Sequence, residues 1–275
     1  MTTPTTAPAS TPLTPDASTV RGRFLWYDLM TPDVDAATRF YMAVTGWTLT
    51  PWTAGDLASP YTMWTTGDAP VGGVMTLPPE EAAHGGAAHW IAYIGTPDVD
   101  ATYRDALALG ARSFVAPTDI PTVGRFAVLA DPQGAAFAVF QPSTPGAPPP
   151  RMPAVGEFSW HELTTTDQAA ALEFYTALFG WAPTEAMDMG ADGVYQMFGQ
   201  VGASYGAVFN RRHAGVPPHW LLYVLVPDLD CALDAVRQGG GRVLNGPMDV
   251  PGGQVAQCVD PQGGHFAVHA VRAHG

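Results

Sequence analysis

The chain is 275 residues long, 47% hydrophobic and only 13% charged, with a formal net charge of -13. That is enough apolar material for one large domain or two small ones without disulfide or metal staples, and its acidic balance disfavours nucleic acid and anionic membranes as partners. Every basic residue is arginine, which excludes lysine Schiff bases and the P-loop.

Residues 1–19 are rich in Thr, Pro, Ala and Ser, with no basic start and no apolar centre. They read as a disordered tail rather than a signal peptide. No later apolar run approaches the roughly 20 residues of a membrane helix. Residues 24–30 (FLWYDLM) alternate as a strand, which predicts Phe24, Trp26, Asp28 and Met30 on one face. Thr31 and Pro32 then predict a helix start, with Thr as N-cap and Pro at the first helical position. Ala37, Phe40, Tyr41 and Val44 share the spacing of a buried stripe, and Gly46 ends the helix. Short strands follow at 61–65 and 71–76. The unit then restarts with a strand at 89–94, a helix opened by Thr96-Pro97 and carrying Val99, Tyr103 and Leu107, and strands including 126–129 and 137–140. One domain over 20–142 thus contains two βαβββ modules.

The second half repeats the first. Trp26, Phe40, Tyr41, Gly46 and Trp47 recur at Trp160, Phe174, Tyr175, Gly180 and Trp181, 134 residues later. His89-Trp90 recurs as His219-Trp220, 130 residues on, and the Asp-Pro-Gln-Gly of 131–134 as 260–263, 129 residues on. The second domain spans 154–272, its first helix opened by a capping box of Thr165 and Gln168. Residues 143–153 form a Pro-rich, semi-rigid linker. Cys231 and Cys258 are too few for a disulfide framework or a four-ligand zinc site and read as reduced thiols of a cytoplasmic protein.

The paired modules, the strand–Asp–helix opening that ends in Phe-Tyr…Gly-Trp, and the closing Asp-Pro-Gln-Gly turn before a strand resemble the vicinal oxygen chelate superfamily. That is the glyoxalase, bleomycin-resistance and extradiol-dioxygenase group; within it the chain looks closest to two-domain actinobacterial glyoxalase-like proteins loosely called hydroxylases. The resemblance covers residues 21–272 and implies an α+β fold of two tandem domains, each two βαβββ modules around a curved mixed sheet. It also implies where metal-chelating members place their ligands. Those positions carry Trp26, Ile91 and Ala138 in the first domain and Trp160, Leu221 and Ala267 in the second, with the remaining ligand near Val74 or Val208. None of these side chains binds a metal, so neither a metal nor another cofactor is expected.

If the strands curve around a cavity, one alternating face lines it: Trp26, Asp28, Met30, His89, Ile91 and Tyr93 in the first domain. In the second these are Phe158, Trp160, Glu162, Thr164, His219, Leu221, Tyr223, His265, Ala267 and His269. Aromatic rings at former ligand positions make a flat apolar wall suited to a planar ligand, unless Trp26 and Trp160 merely fill the core. Asp28 and Glu162 occupy matching positions two residues beyond those rings. Each could be a structural carboxylate, a partner for a ligand amine, or a general base if burial raises its pKa. His161 points away from the cavity. The Asp-Pro-Gln-Gly segments are ordinary turn chemistry rather than a cofactor motif.

Three functions fit these residues. The first is a metal-free protein binding a flat aromatic or polycyclic molecule in antibiotic (aromatic polyketide) biosynthesis or self-resistance, or accessory to a hydroxylation. The second is an enzyme: a metal-free lyase, cyclase or hydroxylase-type activity on Asp28 or Glu162, or a shifted metal site on His219, His265 and His269 with Glu162. The third is a scaffold or stress protein acting by protein contact. The expected partners are an aromatic small molecule and a biosynthetic enzyme, with the chain a monomer or homodimer.

Overall fold

A computed structural model describes residues 20–52, 61–83, 86–144, 151–200 and 202–272. The expected N-terminal tail and the middle of the linker lie outside the described residues. The first domain runs β1 (Phe24–Thr31), α1 (Val34–Thr45), β2 (Thr48–Pro51), β3 (Thr62–Thr66), β4 (Ala69–Thr76), a short α2 (Pro79–Ala83), β5 (His89–Gly95), α3 (Val99–Ala108), β6 (Arg112–Ile120), β7 (Gly124–Ala130) and β8 (Ala136–Pro142). The second runs β9 (Phe158–Thr165), α4 (Gln168–Phe179), β10 (Ala182–Asp188), β11 (Val194–Gln200), β12 (Ala203–Asn210), β13 (His219–Leu225), α5 (Leu229–Gln238), β14 (Arg242–Val250), β15 (Gly253–Val259) and β16 (His265–Val271).

Each domain is one eight-stranded mixed sheet, ordered β2-β3-β4-β1-β5-β8-β7-β6 and, identically placed, β10-β11-β12-β9-β13-β16-β15-β14. Within a module the first strand pairs parallel with the last, and the two modules meet through an antiparallel pair, β1 with β5 and β9 with β13. The helix stripe Ala37, Phe40, Tyr41 and Val44 is buried as its spacing predicts. In α3 the buried stripe is instead Val99, Thr102 and Ala106, and Leu107 is exposed. The helix caps also differ from expectation. Asp33, Asp98, Asp167 and Asp228 are the N-caps, each accepting from the backbone N–H three residues on, because a carboxylate is a stronger acceptor than the neighbouring Thr hydroxyl. Gln168 therefore forms no capping box and donates to the carbonyls of Val194 and Val208.

The two domains share a single core. Helix α1 packs on α5 and α3 on α4, so each module faces a module of the other domain. Tyr41 donates to Asp260 at 3.0 Å and Tyr175 to Asp131 at 3.1 Å, a reciprocal pair. The same aspartates also accept backbone N–H groups within their own Asp-Pro-Gln-Gly turns, so this turn locks a helix of the opposite domain. Likewise Trp47 donates to Gly156 O and Trp181 to Gly22 O, both at 2.7 Å. Gly22 has φ +77°, and a Cβ there would lie 2.8 Å from Phe179 O, so only glycine fits. His161, buried and stacked 3.6 Å from Phe24, bridges Tyr27 Oη and Tyr205 O at this same interface.

Candidate site on the concave sheet faces

With the helices and the opposite domain covering one face of each sheet, the other face carries a separate apolar cluster. In the first domain it comprises Ile91, Tyr93, Val128 and Ala138, flanked by Trp26, Met30, Phe126 and Phe140. In the second it comprises Leu221, Tyr223, Val255 and Ala267, flanked by Trp160, Met248 and Val250. Phe24 and Phe158 depart from the expected alternation and lie in the shared core. A register shift between Phe24 and Trp26, repeated between Phe158 and Trp160, inserts one extra residue and turns each Phe to the opposite face.

A polar group repeats at the centre of each face. Asp28 is 4% exposed; its Oδ1 accepts from Trp26 Nε1 at 2.9 Å and Tyr61 Oη at 2.6 Å, and Tyr93 lies beside the same carboxylate. In the second domain Glu162, 7% exposed, accepts from Tyr195 Oη at 2.6 Å, Gln257 Nε2 approaches at 3.4 Å, and Tyr223 lies beside the same carboxylate. Trp26 Nε1 lies 2.6 Å from Tyr61 Oη and Trp160 Nε1 2.8 Å from Tyr195 Oη, so each indole edge is tied to a tyrosine. Both indoles remain partly exposed, unlike the fully buried Trp47, Trp64 and Trp181. Burial raises both carboxylates above their ordinary pKa, against the opposing pull of their hydrogen bonds. Their tyrosine partners are raised too, first by burial and then by the adjacent carboxylate.

The carboxylates are thus internal acceptors, Asp28 already met by Trp26 and Tyr61 and Glu162 by Tyr195, rather than free groups awaiting an amine. Gly73 makes room for the shorter one: a Cβ there would lie 2.0 Å from Tyr61 Oη and 2.7 Å from Asp28 Oδ1. Ala207 occupies the matching position, where the longer Glu162 reaches further.

The histidines do not converge. His219 and His265 face each other at one end of the second domain's concave face, ring centroids 6.2 Å apart, while His269 Nδ1 pairs with Ser159 Oγ at 3.0 Å. Burial lowers the pKa of both His265 and His269, and the charge of His219 adds to the effect on His265. His89 and His219 each set Nδ1 near a carbonyl two residues earlier, at 3.2 and 2.9 Å. Among the described residues no group of three or more His, Cys, Asp or Glu is placed to hold a metal ion. Val74 and Val208 lie in the shared core, and the inward residues beside them are Gly73 and Ala207. Together with Trp26, Ile91 and Ala138, and Trp160, Leu221 and Ala267, the positions offer no donor set that fits a chelated divalent ion.

Sequence reasoning missed Tyr61, Tyr195 and Gln257. A signal for the first two was present: Tyr61-Thr-Met and Tyr195-Gln-Met recur 134 residues apart, the same offset as the Trp pair.

Residues 25–140 match the family described as glyoxalase-like domain, and residues 157–268 the glyoxalase/bleomycin resistance protein/dioxygenase superfamily. The anthracycline biosynthesis protein DnrV of Streptomyces peucetius is 34% identical over 262 residues, covering 90% of this chain and 92% of DnrV. The Mn(II)-bound glyoxalase from Novosphingobium aromaticivorans superposes with TM-score 0.60 at 18% identity, covering 92% of this chain and 82% of that one. The 2,3-dioxygenase LapB from Pseudomonas sp. KL28 gives TM-score 0.62 at 14% identity and 94% coverage of both chains, a likeness of fold. No helix among the described residues is long and apolar enough to cross a membrane.

Proposed function

The chain belongs to the glyoxalase/bleomycin resistance protein/dioxygenase superfamily, and from that premise we propose that it binds a flat aromatic or polycyclic small molecule, without a chelated metal, in the biosynthesis of an aromatic polyketide antibiotic or in self-resistance to one. The observation that carries this reading is the group repeated on both concave faces: a partly exposed indole whose edge is bonded to a tyrosine, beside an apolar wall. A ring held by its N–H offers its face to a ligand at little cost in ordering. The relationship to DnrV supports the biosynthetic setting. The carboxylates act through their neighbours: Asp28 fixes the Tyr61 hydroxyl and Glu162 that of Tyr195, and each of these hydroxyls holds the adjacent indole edge. A role accessory to a hydroxylating enzyme is consistent with such a binder.

One observation favours a second reading, a metal-free enzyme. Glu162 has a raised pKa and accepts from the Tyr195 hydroxyl at 2.6 Å, so a proton could pass between a ligand and the carboxylate through Tyr195.

Quenching of tryptophan fluorescence by planar polycyclic compounds tests the proposal. Trp160→Ala or Trp26→Ala should weaken binding more than about tenfold, since lost stacking of roughly 0.5–1.5 kcal/mol adds to lost burial. Parent-like affinity in both variants would return these rings to a purely structural role.

A further inference from the structure

The two concave faces are built on one plan but differ chemically along one wall. At matched positions on the last two strands, Val128, Ala136 and Phe140 of the first domain are replaced by Gln257, His265 and His269 in the second. Gln257 stands apart within this set. It is only partly buried and lies beside Val255 on the concave face. Its Nε2 contacts Glu162 at 3.4 Å and Tyr223 Oη at 3.3 Å, both long for hydrogen bonds, so the amide is weakly committed to the protein. Its first-domain counterpart Val128 is an apolar member of the wall, 7% exposed.

We propose that Gln257 makes the second domain selective for an oxygenated planar ring, a phenol or quinone, whereas the first domain accepts the same ring shape without reading its oxygens. The inference rests on the aromatic-binding reading above and adds to it which face distinguishes ligands, and by what group. A carboxamide suits such a ring because its NH2 donates to a quinone carbonyl and its Oε1 accepts from a phenol. The donation from Nε2 replaces only its two long internal contacts, so little is sacrificed when the ligand arrives. The neighbouring Tyr195 hydroxyl is committed to Glu162 at 2.6 Å, which leaves the amide as the more loosely held hydrogen-bonding group beside that carboxylate.

The experiment titrates full-length protein with two probes of similar shape, a dihydroxyanthraquinone and anthracene, reading affinity and stoichiometry by calorimetry and fluorescence. Gln257→Met conserves volume, and Gln257→Val installs the residue that the first domain already tolerates. Each should weaken the dihydroxyanthraquinone at the second-domain site by about threefold to tenfold, as expected for one hydrogen bond, and leave anthracene unchanged. Val128→Gln should strengthen the dihydroxyanthraquinone alone. Equal losses for both probes, or no change for either, would overturn the role of Gln257 while leaving aromatic binding in place. Failure of the parent to bind either probe would overturn the aromatic-binding reading and this inference with it.

Discussion

Replacing Tyr195 by Phe removes one hydroxyl and leaves the ring, and its effect follows from the two hydrogen bonds that the hydroxyl makes. It donates to Glu162 Oε1 at 2.6 Å and meets Trp160 Nε1 at 2.8 Å. A bond to a charged acceptor contributes roughly 1.5–3 kcal/mol, and here the acceptor stays buried when its donor goes. The indole N–H belongs to a partly exposed ring and can turn to water, so freeing it adds little. For a chain of this size each kcal/mol corresponds to about 2–4 °C, so the melting temperature should fall by roughly 3–12 °C. Ligand affinity should fall as well, by about twofold to tenfold, because Trp160 loses the tether that holds its face in place. Thermal melts and fluorescence titration of the same samples measure both, with Tyr61→Phe as the first-domain counterpart. If Tyr195→Phe melts within about 1 °C of the parent and binds as well, the hydroxyl does not organise the site and the reasoning fails.

Three other outcomes are expected. Tyr41→Phe strands the acceptor Asp260 and the Trp90 N–H that bonds to the same hydroxyl, and Tyr175→Phe does the same to Asp131 and Trp220; each should cost about 2–3 kcal/mol in chemical denaturation, and parent-like midpoints would show that these turns do not lock the domains. His161 is pushed down to about 4 by burial, so its contribution is complete above about 6.5, where the unfolded imidazole is neutral, and is lost as pH falls toward 4, by about 3 kcal/mol in all. The stability gap between parent and His161→Phe should therefore narrow across that window, and parallel pH curves would contradict it. Glu162 has the opposite sign: its folded pKa is raised, so ionisation costs stability as pH rises above the ordinary carboxylate range, and Glu162→Gln should gain on the parent from about pH 4 upward. A gap independent of pH would show that burial does not perturb this carboxylate.

The duplication made the architecture legible, because matched Trp, Phe-Tyr and Asp-Pro-Gln-Gly positions each fixed the same strand or helix twice. Alternation also placed Trp26, Asp28, Trp160 and Glu162 correctly on the concave faces. It failed at Phe24 and Phe158, since a one-residue bulge reverses the face of everything before it and leaves no mark in a hydrophobic pattern. The tyrosines were harder to find. Tyr61 and Tyr195 reach the carboxylates only because the antiparallel pairing of β3 with β4, and of β11 with β12, folds them back over the first strand of each module. The second role of Asp131 and Asp260 was equally hidden: a turn aspartate that also receives a tyrosine from another domain is a tertiary contact, and no local spacing encodes it.

The most direct measurement is a crystal structure of the protein with a planar polycyclic ligand, such as a dihydroxyanthraquinone. The ring system should lie on a concave sheet face, stacked on Trp160 or Trp26, with that indole N–H still bonded to Tyr195 or Tyr61. A ligand found elsewhere, for example in the surface cleft that Val44, Gly46, Asp228 and Cys231 line between α1 and α5, with both concave faces unchanged, would contradict the account.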